Sequence, residues 1–117
     1  MATTELQAIV RFRFHNGDVE EFKRLSALCM EIVRTQDTGT LQYDTYFNDD
    51  ETECIVLERF RDSDALIQHG ENLAHLMDAI IATGSVSGEL LGELSPELRS
   101  RFVDDGPVQL FTPWLTM

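Results

Sequence analysis

The sequence is short of cysteine, of basic residues and of long apolar runs. Of 117 residues, two are cysteines, and nine are lysine or arginine against 21 aspartates and glutamates. Cys29 falls within a helical pattern and Cys54 within a strand pattern, with no second cysteine or histidine at metal-ligand spacing, so no metal site is expected. Both read as small core hydrophobes, and neither has the adjacent basic partner that a nucleophilic thiol needs. The formal charge of −12 opposes binding to nucleic acid phosphates or an anionic membrane surface, and leaves a small molecule as the easier partner. No uninterrupted apolar run approaches the ~20 residues that span a bilayer, and the start MATTELQAIV lacks a basic segment followed by an apolar signal core. The expectation is a cytoplasmic protein.

What is present is an ordinary globular composition, 43% hydrophobic and 26% charged, over a length that suits one domain spanning 1–117. Leu6, Ala8, Val10, Phe12 and Phe14 alternate with Gln7, Ile9, Arg11 and Arg13, which predicts a strand. His15-Asn16-Gly17 is turn chemistry, and Asp18 with Glu21 resembles a capping box opening a helix. Phe22, Leu25, Leu28, Cys29, Ile32 and Val33 then recur at three and four, predicting an amphipathic helix from Val19 to near Gln36.

Asp37-Thr38-Gly39 breaks that helix. Leu41, Tyr43, Thr45 and Phe47 then share one face of a second strand, and a polar loop at 48–52 leads into a hairpin partner over Glu53–Arg61. In this third strand Cys54, Val56 and Phe60 share a face with Glu58, while Ile55 and Leu57 share the other with Arg59. Asp62 or Ser63 caps a short helix ending at His69, which Gly70 interrupts before a second helical run over 72–83 with Gly84 as its C-cap. Val86 to Leu91 reads as a fourth strand. Ser95-Pro96-Glu97 opens a last short helix to about Phe102, and Val108–Trp114 is a terminal extended segment, so 95–117 forms a C-terminal extension.

This order predicts an α+β, ferredoxin-like βαββαβ fold with an antiparallel sheet and both helices on one face. The apolar residues on the other face call for a cover, and a second sheet is the simplest one. A homodimer forming a dimeric α+β barrel is therefore expected, with Trp114 and the C-terminal segment as contributors.

The stretch Gly39–His69 resembles the antibiotic biosynthesis monooxygenase family, including its small quinol monooxygenases. Gly39, Leu41 and Tyr43 in GTLQYDTY, Leu57-Glu58-Arg59-Phe60, and Ala65-Leu66 before His69 carry the resemblance. It implies oxygenation of a quinol or polyketide-like phenolic aromatic by molecular oxygen, without metal, flavin or haem. Phe60 stands where many members have tryptophan, and a histidine expected about five residues after the first is displaced to His75. The asparagine and tryptophan used by the haem-degrading branch are both absent.

Such chemistry needs a base beside an apolar cavity, to raise electron density on the ring carbon that meets oxygen. His69 is the leading candidate as base or orienting group, with a dipole-stabilised histidine at a helix end as the plain structural reading. Glu58 interrupts an apolar face, and is read either as a catalytic carboxylate or as a salt bridge to Arg11, Arg13 or Arg61 across a dimer. Tyr43 is either a hydrogen-bond donor to substrate or a large core residue. Phe60, Trp114 and His75 are the candidate substrate contacts. A non-enzymatic dimeric ligand-binding domain, or an isomerase or lyase using Glu58 with His69, would use the same scaffold.

Overall fold

A computed structural model describes residues 3–117. The elements run β1 (Leu6–Phe14), α1 (Val19–Gln36), β2 (Thr40–Phe47), β3 (Glu53–Phe60), α2 (Ser63–Ile81), β4 (Gly84–Leu91), α3 (Pro96–Arg99) and β5 (Val108–Phe111). The sheet order is β2-β3-β1-β4-β5. Every pairing among the first four strands is antiparallel, as the alternation predicts. β5 pairs parallel to β4, so the full sheet is mixed rather than antiparallel. The terminal segment had the alternation to be extended, but its direction depends on how the chain crosses from β4 through α3.

Both long helices pack on one sheet face. Phe12, Phe22, Leu25, Cys29, Val33, Cys54, Val56, Leu73 and Ile80 form the main core beneath them. A second cluster of Leu6, Ala8, Phe60, Ala65, Leu90 and Leu98 closes the other end. The alternation in β1 and β3 thus sorts residues to the two faces as expected.

Several local expectations change. The capping box does not form: Asp18 has helical rather than extended backbone angles and makes no side-chain cap bond, and the Glu21 side chain is held by Arg24 at 2.7 Å instead of reaching back. α2 is one continuous helix through Gly70, capped by the Asp62 side chain accepting from the Ala65 amide at 2.9 Å. A single glycine weakens a helix by only about 1 kcal/mol relative to alanine, which packing of Leu73 and Ile80 readily offsets. Gly84 is not the C-cap but the first residue of β4, where a Cβ would lie against the Arg13 carbonyl. In β2 the register shifts between Thr40 and Gln42, turning Leu41 out of the core face to 47% exposure. α3 ends at Arg99, short of Phe102.

Candidate functional site

The site forms where the turn after α1 is stitched to α2. Ala65, Gln68, His69 and Asn72 follow the i, i+3, i+4, i+7 spacing of one helical stripe. That stripe meets residues 37–39. Gln68 accepts from the Thr38 amide at 2.9 Å, and Gly39 lies so close to Ala65 that an added Cβ would stand 2.5 Å from its side chain. Arg61 donates its amide to the Gly39 carbonyl at 2.8 Å, fixing the end of β3 against the same turn.

Asp37 is the centre of this junction. Its Oδ2 accepts from Thr40 Oγ1 and meets His69 Nδ1, both at 2.7 Å, and its Oδ1 accepts from Asn72 Nδ2 at 2.8 Å. On the far side of the ring, His69 Nε2 lies 3.4 Å from Glu58 Oε1. The side chains of Asp37, His69 and Glu58 are 1%, 8% and 12% exposed. Glu58 stands in register between Ala8 of β1 and Tyr43 of β2, on the helix-facing side of the sheet. The His69 ring packs against Tyr43 at 5.4 Å and Phe60 at 5.0 Å between centroids.

The electrostatics follow from this enclosure. Burial is the largest single influence on His69 and disfavours its charged form, but Glu58 and then Asp37 together outweigh it and raise its pKa above the ordinary value. Burial likewise pushes Asp37 up, yet Thr40, Asn72 and His69 together hold its carboxyl below the usual carboxylate range. Burial, reinforced by Cys29 and Glu58, pushes the Tyr43 phenol far up, so it stays protonated and can donate. Burial also raises both thiols, Cys54 to about 11, which suits packing rather than nucleophilic attack.

His69, Tyr43, Glu58 and Phe60 are therefore brought together. His75 and Trp114 are not. His75 lies on the exposed side of α2, six residues and some 240° round the helix from His69. Trp114 is 89% exposed and borders a separate cavity with Asp62, Ser63 and Leu94.

One expectation is corrected: His69 sits inside α2 rather than at a helix end, so no helix dipole stabilises it. Within the chain, among the described residues, Glu58 faces His69, while Arg11 pairs with Glu89, Arg13 with Glu53 and Arg61 with Asp62. Arg11 and Arg13 point to the opposite sheet face. Asp37 and Asn72 went unread in the sequence, where Asp37 looked only like part of a helix-breaking turn. The polar run Gln68, His69 and Asn72 along one helical stripe was the signal that this face meets something other than core.

Among the described residues no group of His, Cys, Asp and Glu has the arrangement of a metal site. The oxygens of Asp37 and Glu58 face the two nitrogens of His69 instead of a common centre. The assembly is equipped for proton transfer and hydrogen bonding beside aromatic surfaces.

Residues 6–77, more than half of the chain and including Asp37, Tyr43, Glu58, Phe60, His69 and Asn72, match the antibiotic biosynthesis monooxygenase family. The chain belongs to that family. Among solved structures it is similar to MupZ from Pseudomonas fluorescens, with 22% identity, coverage of 100% of this chain and 91% of that one, and a TM-score of 0.78. PA3566 from Pseudomonas aeruginosa is 24% identical over 81% of this chain and 99% of that chain, with a TM-score of 0.67. SnoaB from Streptomyces nogalater, described as a cofactor-independent oxygenase, is 18% identical over 75% and 89%, with a TM-score of 0.64. These likenesses establish the antibiotic biosynthesis monooxygenase fold. No curated protein matches the chain. Among the described residues no helix is long and apolar enough to cross a membrane.

Proposed function

We propose that this protein is a cofactor-independent monooxygenase that oxidises a quinol or polyketide-like phenol with molecular oxygen, acting as a cytoplasmic homodimer. The observation that carries the reading is the buried His69, flanked by Glu58 and packed against the rings of Tyr43 and Phe60. A polar group able to move a proton beside aromatic walls is part of the equipment for activating a phenol, and a surface cavity of about 410 Å³ bordered by Asp37, Thr40 and Tyr43 lies next to it. Family membership and the likeness to SnoaB support the same chemistry. For a naphthol the overall change is naphthol plus dioxygen to naphthoquinone plus water. One oxygen atom enters the ring, and the other leaves with the phenolic hydrogen and the hydrogen of the oxidised ring carbon.

The dimer is proposed from the sheet face that the helices leave bare. Ile9, Leu57 and Leu91 lie there with the more exposed Tyr46, Ile55 and Phe111. Arg11, Arg13 and Arg59 balance Asp44, Glu53 and Glu89 on the same face. In a chain of net charge −12, this is a charge-balanced, partly apolar surface on which a second copy meets little repulsion.

A second reading, a non-enzymatic dimeric ligand-binding domain on the same scaffold, has its own support: among the described residues no buried side-chain polar atom is left without a partner, so no group is held in reserve for chemistry. Oxygen uptake with menadiol and 1-naphthol decides between them. The oxygenase reading expects uptake by the native protein and a loss of about a hundredfold or more in His69→Ala. Absence of uptake with every phenol, while the protein still binds them, would favour the binding-domain reading.

A further inference from the structure

The two carboxylates beside His69 are unequal. Asp37 is sealed, and its three donors occupy both oxygens. It sits directly after α1, where the partial negative charge of the helix end disfavours an anion. An acid kept there needs its donors, and two of them, the Thr40 hydroxyl and the Asn72 amide, are neutral groups that only hold it in place. Glu58 is the opposite case. Among the described residues its one polar partner is His69 Nε2, at 3.4 Å, and it keeps a little solvent exposure.

We propose that Asp37 is a positioning residue that fixes His69 as an imidazolium, and that Glu58 rather than His69 accepts the proton of the phenolic substrate. In this arrangement Nδ1–H is directed to Asp37 and Nε2–H towards Glu58. The proposal rests on the oxygenase reading given above. The substrate O–H bond breaks and an O–H bond forms on Glu58. The electron pair stays on the substrate as the phenolate, the form that gives up electrons to dioxygen. When the second oxygen atom leaves as water, the proton on Glu58 leaves with it and the carboxylate is restored. His69 keeps its own proton throughout and orients Glu58.

The groups facing His69 are consistent with a charged ring. Asp37 meets it from the turn after α1, Glu58 from β3 and Tyr43 from β2, with Cys29 of α1 behind the Tyr43 hydroxyl. Two carboxylates thus oppose one cation, and no second cation competes with it among the charged groups described here. The combined pull of Glu58 and Asp37 against burial, noted above, acts in the same direction.

The test is an NMR titration of the full-length protein with 15N-labelled histidine, with the His69 signals assigned by their loss in His69→Gln. The expected result is an imidazolium, both ring nitrogens protonated, at pH 7, and a midpoint lowered by about one pH unit or more in Asp37→Asn. Steady-state oxygen uptake with 1-naphthol is measured alongside. Glu58→Gln is expected to lower kcat about a hundredfold with KM nearly unchanged, and Asp37→Asn to move the pH profile of kcat to the acid side. A neutral His69 ring at pH 7 in the native protein overturns the proposal, as does an unchanged midpoint in Asp37→Asn or a Glu58→Gln enzyme with near-native kcat. If Asp37→Asn fails to fold, the native titration still decides the state of the ring. If the native protein oxidises no phenol, the oxygenase reading and the role of Glu58 fall together, whereas the titration separately decides whether Asp37 holds His69 charged.

Discussion

His69 and Asp37 tie the stability of the protein to pH, and the sign follows from the direction of each shift. A histidine whose folded pKa is raised stabilises the fold fully below its unfolded value, 6.5, and loses that contribution as pH rises through the higher folded value. An aspartate whose folded pKa is lowered contributes fully above its unfolded value, 3.8, and loses that contribution as pH falls through the lower folded value. Thermal unfolding followed by circular dichroism is therefore expected to give a maximum between about pH 4 and pH 6.5 from this pair. The alkaline decline should shrink in His69→Gln and the acid decline in Asp37→Asn. A Tm that rises steadily from pH 6 to pH 9 in the native protein would contradict the ion pairing. Part of this was legible beforehand: Glu58 stood out because it interrupts an apolar face, and His69 and Tyr43 through the family resemblance. Asp37 did not, because a residue in a turn declares its partners only once the turn is placed against α2.

Among the elements, α2 and the turn before β2 explain two glycines in different ways. Gly70 lies on the exposed side of a continuous helix, and an added Cβ there meets nothing within 4 Å. Gly70→Ala is expected to stabilise the protein by about 0.5–1 kcal/mol in urea unfolding, since alanine loses less backbone freedom on folding. Gly39 lies against the Ala65 side chain, and Gly39→Ala must push α2 away from β2. A loss of about 1–3 kcal/mol is expected, together with weakened contact between Asp37 and His69. The periodicity of α1 and the alternation of β1 and β3 carried over directly, since each has a long stretch with one buried face. The helix break at Gly70 did not carry over, because a local glycine preference is worth about 1 kcal/mol and tertiary packing exceeds that; α2 does end before Gly84, at Ile81, and Gly84 opens β4 instead of capping the helix. The bulge that turns Leu41 outward leaves no mark in an alternating sequence, since a one-residue slip is decided by pairing with β3.

For the molecule as a whole, the bare sheet face sets the expected assembly. Light scattering after gel filtration should give twice the chain mass at micromolar concentration, and Leu57→Asp should shift the protein towards monomer by placing a charge in the middle of that face. A native monomer at all concentrations would remove the dimer. Because the charges on that face balance, raised salt is expected to change the association only slightly.

The sequence by itself determined the order of elements, the helix-facing and bare sides of β1 and β3, and the resemblance to the family, because these depend on local periodicity and on residues close in the chain. The tertiary structure decided what those residues face. It set Asp37 against His69 across 32 positions, gave Glu58 a histidine neighbour, and put His75 and Trp114 elsewhere. It also laid β5 parallel to β4. Those outcomes depend on how α2 lies over the sheet, a matter of packing between distant segments that no local pattern encodes.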